Sequence, residues 1–225
     1  IITSERFLDM SKPIIEFPSA GAIFNNKLNI DENIIRQKKY LLDEGYSIII
    51  PVYHNTWGRK KIIRDWSSVR ASRAVCFRYF NAAGADLDGE LGESHDPETH
   101  LIPLILRVAS GRMRKITIFG DNYETPDGTC VRDYIHVWDL CEAHWLGLQR
   151  IMTGAKNCTY NLGNGTGFSV REVIGCAEKV TGQKIKSLIS KRRTGDPARL
   201  VADPSLAIKE LNWQAKNASL KQIIK

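Results

Sequence analysis

From about residue 31 to residue 182, short β-rich runs ending in glycine alternate with amphipathic helices, the layout of an α/β protein. Asp31 is placed to cap a helix whose face carries Ile34, Ile35, Leu41 and Leu42, and Gly45 stands where that helix ends. Tyr46 to Val52 then reads as a buried strand around Ile48-Ile49-Ile50. An earlier short strand falls at Pro13–Phe17, and a short helix around Lys61–Val69. Ala74 to Asn81 is a strand running into Ala82-Ala83-Gly84, and a helix over 102–110 carries Pro103 in its first turn with Gly111 closing it. Ile116–Gly120 is extended. Val137, Leu140, Cys141, His144, Trp145 and Leu148 are spaced as one apolar helical stripe. Tyr160–Gly163 is a strand, Ser169 and Glu172 form a capping box, Gly182 ends the helix that follows, and Asp203-Pro204 starts a last helix through Leu206 and Leu211.

Composition narrows the function classes. The 225 residues are 43% hydrophobic and 25% charged, and no run of 18 apolar residues occurs, so no membrane span is expected. Ile1 to Arg6 lacks the basic-then-apolar layout of a secretory signal. The chain opens on Ile1 rather than Met, which fits a native start upstream. Cysteines 76, 130, 141, 158 and 176 are odd in number and form no C-x-x-C pair, so free thiols in a reducing cytoplasm fit better than disulfides or zinc. The net charge is +7, but its basic triplets, Arg59-Lys60-Lys61 and Lys191-Arg192-Arg193, are not interleaved with aromatics. No nucleic-acid partner is expected.

Four stretches carry the chemistry: Arg78-Tyr79-Phe80-Asn81-Ala82-Ala83-Gly84; Thr99-His100-Leu101-Ile102-Pro103; Ile118-Phe119-Gly120 followed by the run from Asp127 to Val137; and Arg192-Arg193-Thr194-Gly195-Asp196-Pro197 with Ala202-Asp203. Together they resemble the carboxy-terminal two-thirds of UDP-glucose 4-epimerases, members of the extended short-chain dehydrogenase/reductase superfamily, over about residues 72–224. Gly128 to Val137 is the most specific segment. The resemblance implies an α/β fold: an incomplete NAD-binding Rossmann-type parallel sheet with a smaller carboxy-terminal α/β substrate domain. Residues 1–73 then correspond to a degenerate remnant of the NAD-binding region and 74–225 to the sugar-nucleotide part.

A UDP-sugar carries a pyrophosphate, which needs fixed cations and N–H donors. Arg132 and Arg193 match the family positions that contact it. Asn81 ends a strand, where open α/β sheets collect ligands, and by resemblance it reaches the phosphate or sugar. Leu101 matches a backbone N–H donor at a helix start, and His100 beside it is counted with the substrate-binding residues. Thr117 and Phe119 match the extended segment lying against uracil, and Asp196 matches a ribose hydroxyl acceptor. Leu200 borders the hexose pocket and leaves glucose versus N-acetylglucosamine open. Tyr79 is placed near the nicotinamide of NAD. The implied ligands are UDP-glucose and UDP-galactose, in galactose metabolism; a homodimer and a cytoplasmic location complete the expectation.

Other features read as structural. His136 and His144 lie two helical turns apart, too far to share a metal ion, and no metal is expected. Gly163-Asn164-Gly165-Thr166-Gly167 lacks dinucleotide-loop spacing and reads as a domain junction. Two family motifs are not found. The glycine loop that holds the NAD pyrophosphate has as its nearest match the stretch around Pro18, Ser19, Gly21 and Phe24, with one glycine. Of Tyr-x-x-x-Lys, Tyr53 is followed four residues later by Trp57, and Asn55 to Arg59 offers only Trp57 in the base's place; indole nitrogen cannot abstract a hydroxyl proton. The sequence therefore predicts an epimerase homologue with a truncated or rearranged cofactor half. A non-catalytic nucleotide-sugar-binding module and an unstable gene remnant are the alternatives.

Overall fold

The computed structural model describes residues 73–225, together with the backbone of two strands, β1 (Ile14–Ile15) and β2 (Ile48–Pro51). These strands answer the expected runs at Pro13–Phe17 and Tyr46–Val52. The expected helices at 31–45 and Lys61–Val69, the stretch around Gly21, and Tyr53 with Trp57 lie outside the described residues.

The chain divides into two compact units, residues 1–79 with 143–160, and residues 80–142 with 161–225. In the first, β1, β2 and β3 (Val75–Tyr79) pair in parallel within a sheet of order β1-β2-β3-β8, where β8 is Cys158–Leu162. Ile14 pairs with Ile48, and Ile50 with Cys76. Val75, Cys76, Phe77 and Tyr79 are all buried, as expected of a parallel strand covered on both faces rather than alternating.

The helix before β8, Val137–Met152, carries its apolar stripe one position away from the sequence expectation. Leu140, Ala143, His144, Leu148 and Ile151 are buried, whereas Cys141 and Trp145 face solvent, Trp145 being 55% exposed. Gly147 explains the shift: a Cβ there would lie 2.5 Å from Cζ of Phe77. Small residues set the depth of contact on this face, and a count of large apolar residues does not see them.

The second unit begins where the expected strand 74–81 breaks. After Tyr79 the chain bends, and Asn81–Ala83 forms β4, parallel to Tyr134–His136 (β7). Helix α1 (Leu101–Ala109) follows, then β5 (Ile116–Phe119) and β6 (Val131–Arg132) before β7. The helix at 137–152 is α2. Beyond β8 come β9 (Phe168–Ser169), α3 (Val170–Thr181), β10 (Ser187–Ser190), β11 (Arg199–Leu200) and α4 (Ser205–Leu211). A further helix, α5 (Leu220–Ile224), was not anticipated. β5 pairs in parallel with β10; β6 pairs in parallel with β11 and antiparallel with β9.

The core of this unit gathers Ile102, Ile105 and Val108 of α1, Ile116 of β5, Val173 and Ala177 of α3, and Leu220, Ile223 and Ile224 of α5. Local signals place these helices. Ser169 Oγ accepts from Glu172 N at 3.1 Å while Glu172 Oε2 accepts from Ser169 N at 2.7 Å, and Gly182 closes α3 at φ 68°. Such a cap is worth about 1 kcal/mol. Asp139 collects the carboxy-terminal segment: its carboxylate accepts from Lys216 N and Asn217 N at 3.0 Å, and its carbonyl accepts from Trp213 Nε1 at 2.9 Å. Among the described residues, no helix is long and apolar enough to cross a membrane.

Candidate functional site

Three short strands of the second unit hold the expected residues. On β5, Ile116 and Ile118 point into the core, so Thr117 and Phe119 share the opposite, half-buried face by the period of two along a strand. On β6, Val131 is buried and Arg132 turns outward, with Leu200 of β11 as its register partner. Between β10 and β11 lies the turn Arg193-Thr194-Gly195-Asp196, closed by Asp196 N donating to Arg193 O at 3.2 Å and by Gly195 at φ +79°.

That turn joins the pieces. From one end, the Arg193 guanidinium lies over the Phe119 ring, 4.0 Å from its centroid. From the other, the Asp196 carboxylate accepts a charge-assisted hydrogen bond from Arg132 Nη2. Arg132 also donates from Nη1 to Val131 O at 2.7 Å, and its side chain is 12% exposed against 24% for Asp196. Thr117, Phe119, Arg132, Arg193, Asp196 and Leu200 are thereby assembled from segments about 80 residues apart: a cation on an aromatic face, and beside it a shielded cation whose partner is reachable from solvent.

The basic triplet at 191–193 was not interleaved with aromatics in sequence, but in space two of its members are. Arg192 lies 4.1 Å from the Tyr123 ring centroid and donates from Nε to Asn122 Oδ1 at 2.6 Å. Burial and the Asp196 carboxylate raise the Tyr123 phenol above its ordinary pKa, so it stays neutral. Gly120, Asp121, Asn122, Ser190, Lys191 and Arg192 line an open cleft of about 410 Å³. Sequence reasoning missed Tyr123 and Asn122, which no spacing links to residue 192.

The scaffold beneath is one carboxylate. Asp133 is fully buried and accepts from Asn164 N at 2.8 Å, Gly165 N at 3.0 Å and Ala202 N at 3.1 Å. Burial pushes its pKa up against the lowering effect of these amides. A Cβ on Gly163 would lie 2.6 Å from Asp133 Oδ2, so only glycine fits there. Two amides of the glycine run at 163–167, those of Asn164 and Gly165, are thus spent on an internal carboxylate. Asn81 N donates to Asp133 O at 2.9 Å, which ties β4 to the same strand connection.

Asp127 fixes the preceding loop. It accepts from Thr129 N at 2.9 Å, Thr129 Oγ1 at 2.7 Å and Ser169 Oγ. Burial raises its pKa, but the bonds from Ser169 and Thr129 outweigh that and leave the carboxyl below the usual range.

His100 and Leu101 stand at the start of α1. His100 is the N-cap without a side-chain cap bond; its Nδ1 is turned toward Glu98 and Glu93 instead. Pro103 has no N–H, which leaves Leu101 and Ile102 with the first amide donors of the helix. Tyr79 belongs to the first unit, where it is buried with its hydroxyl against His144 Nε2. His144 is buried between Phe77, at 4.6 Å, and Tyr79, at 5.3 Å. His136 is buried too, and its ring would lie 2.5 Å from a Cβ on Gly84.

The NAD dependent epimerase/dehydratase family matches residues 52–163. A solved structure, UDP-glucose 4-epimerase from Brucella ovis in complex with NAD, is 38% identical, with a TM-score of 0.78 over 86% of this chain and 69% of that one. The chain belongs to the NAD-dependent epimerase/dehydratase family. UDP-glucose 4-epimerase from Bifidobacterium longum, solved with NAD+ and UDP, is 32% identical, with a TM-score of 0.72 over 87% of this chain and 70% of that one. Among curated relatives, UDP-glucose 4-epimerase of Halalkalibacterium halodurans is 51% identical over 150 residues, 67% of this chain and 45% of the relative. This epimerase homologue spans about half the length of the curated relatives it matches. The Rossmann-type α/β fold expected from the four motifs is that of its structural relatives.

Proposed function

We propose that the second unit is the sugar-nucleotide side of a UDP-glucose 4-epimerase, binding UDP-glucose and UDP-galactose as they interconvert. The observation that carries this reading is the turn Arg193–Asp196, which puts one cation on Phe119 and its acid on Arg132. Uracil lies along Thr117 and Phe119, where an extended strand offers main-chain groups to a pyrimidine edge and Arg193 covers the ring. The diphosphate meets Arg132 and Arg193, with the Leu101 N–H and Asn81 as further donors; His100 flanks this end, and Leu200 borders the hexose. Asp196 exchanges its bond to Arg132 for a ribose hydroxyl as the diphosphate arrives. The division at residue 73 into a cofactor remnant and a sugar-nucleotide part, the homodimer, the cytoplasmic location and the absence of a nucleic-acid partner belong to the same reading.

NAD is the cofactor this reading implies; when bound, it accepts and returns the hydride at C4 of the hexose. Among the described residues the fit is incomplete. Tyr79 keeps its hydroxyl on His144, and the amides at 164 and 165 are held by Asp133. The chain's own residues bind and orient the UDP-sugar.

Two measurements test the proposal. UDP should raise the melting temperature of the purified chain, and a flat titration to millimolar UDP sinks the binding assignment. UDP-galactose conversion with added NAD, coupled to UDP-glucose oxidation, should show no turnover, because no Tyr-x-x-x-Lys base pair is present and general-base catalysis alone is worth about 10²–10⁴ in rate. Turnover that survives repurification and is lost in Tyr53→Phe would overturn that part of the reading.

A further inference from the structure

The loop leading into α1 contains two Glu-x-His steps, Glu93-Ser94-His95 and Glu98-Thr99-His100. They fold back on each other. One ligand atom from each of Glu93, His95, Glu98 and His100 lies within 4.8 Å of all the others. His95 Nδ1 is 2.8 Å from Glu93 Oε1, and His100 Nδ1 is 2.9 Å from both Glu93 Oε1 and Glu98 Oε1. The two imidazoles meet edge to face at 4.9 Å, so both Nδ1 atoms reach one centre without the rings colliding.

Hydrogen bonding accounts for only part of this convergence. His100 Nδ1 is aligned on Glu98. His95 Nδ1 is a buried atom with no aligned hydrogen-bond partner, although a carboxylate oxygen stands beside it. One Nδ1 proton on His100 also cannot be directed at two carboxylates at once. Glu98 is held before any ion arrives: its side chain is 2% exposed, and Oε1 accepts from Thr99 N and His100 N at 2.7 Å. Backbone bonds of this kind orient a metal-ligating carboxylate.

We propose that Glu93, His95, Glu98 and His100 form a binding site for a divalent transition-metal ion of the zinc class. Two imidazole nitrogens with two carboxylate oxygens suit zinc, cobalt or nickel, whereas magnesium and calcium take oxygen alone. Ligand atoms around a tetrahedral ion at ~2.0–2.1 Å stand about 3.3 Å apart. To admit one, the contacts at 2.8–2.9 Å open by a few tenths of an ångström, and the wider pairs of the cluster, which extend to 4.8 Å, close toward that distance. The ion pins the loop at the point where it enters α1. The site stands whether or not the UDP-sugar reading holds, since it uses the ion alone as its probe.

The test is a titration of the full 225-residue chain with Co²⁺, read by visible d–d absorption, followed by Zn²⁺ displacement. One equivalent with tetrahedral bands and no thiolate charge-transfer absorption is expected, which separates this site from the five free cysteines. Glu93→Gln and His95→Gln, whose side chains are about one-third exposed, should each weaken binding by more than the roughly 10–100-fold typical of losing an outer-shell partner, with the melting curve of the metal-free chain unchanged. Absence of saturable binding, or a cobalt spectrum indifferent to both substitutions, overturns the proposal. If either variant melts early, Glu93→Asp, which shortens the ligand but keeps its charge, must still perturb the bands.

Discussion

Asp133 and Asp196 mark two regions on either side of Arg132, and they are built on opposite terms. Asp133 is sealed in the protein and spends its carboxylate on three backbone amides, from Asn164, Gly165 and Ala202. Asp196 sits on an open turn and spends its carboxylate on one side chain, Arg132. A fully buried acceptor held by three backbone amides fixes the chain in shape and lies out of a ligand's reach. A quarter-exposed acid on a glycine turn can trade its partner. Adjacent residues of one motif, Arg132 at the end of β6 and Asp133 in the connection to β7, thus serve different ends.

The largest effect expected from breaking this contrast is on folding. Asp133→Ala leaves three backbone N–H groups without their acceptor, that of Ala202 buried and those of Asn164 and Gly165 partly so, and should cost on the order of 3–5 kcal/mol, read as a lowered urea midpoint. An unmoved midpoint would show that water or a neighbouring group replaces the carboxylate. Arg132→Ala should do the reverse: UDP affinity falls by up to about a hundredfold, the loss of ~1.5–3 kcal/mol expected for one charge-assisted contact. Stability should change by less than about 1 kcal/mol, since the pair is partly solvated. A UDP-induced thermal shift that survives in Arg132→Ala removes that residue from the site.

Phe119→Leu sharpens the cleft side alone. It removes the ring beneath Arg193 and should weaken UDP by about 0.5–1 kcal/mol, a few-fold in Kd, with little change in melting. The smallest effect is in pH dependence, where Asp127 and Asp133 should oppose each other. The folded-state pKa of Asp127 is depressed, so its contribution is complete above the ordinary carboxylate value near 3.9 and is lost as pH falls below it. Asp133 is raised, so its site is most stable at low pH and weakens as pH climbs from about 4 through its folded value. Stability measured from pH 3 to 6 should fall less steeply toward acid in Asp127→Asn than in Asp133→Asn.

Much of the fold was legible because its signals are local. The capping box at Ser169 and Glu172, Gly182 after α3, and the helix behind Pro103 follow from atoms a few residues apart. The phase of α2 was misread at Cys141 and Trp145, because the face that packs is the one where Gly147 lets Phe77 approach. The strand expected over 74–81 is two strands in two sheets, since β4 finds its partner in β7 and not beside β3. The two Glu-x-His steps were readable as letters, yet nothing in their spacing shows that the loop brings them back on one centre.

By itself, the sequence determined the helices α1, α2 and α3, the extended runs at β2, β3 and β5, and, by resemblance over the run from Gly128 to Val137, the family. The elements follow from short-range rules of cap and period, which act over one or two helical turns. Only the tertiary structure decided the partners: Asp196 for Arg132 across 64 residues, Ala202 for Asp133 across 69, Asn122 for Arg192 across 70. Which surface cation settles on which ring, and which acid is buried, depends on how the small sheets stack. A distance of 4 Å between groups 70 residues apart is set by the packing of everything between them, and no local pattern records it.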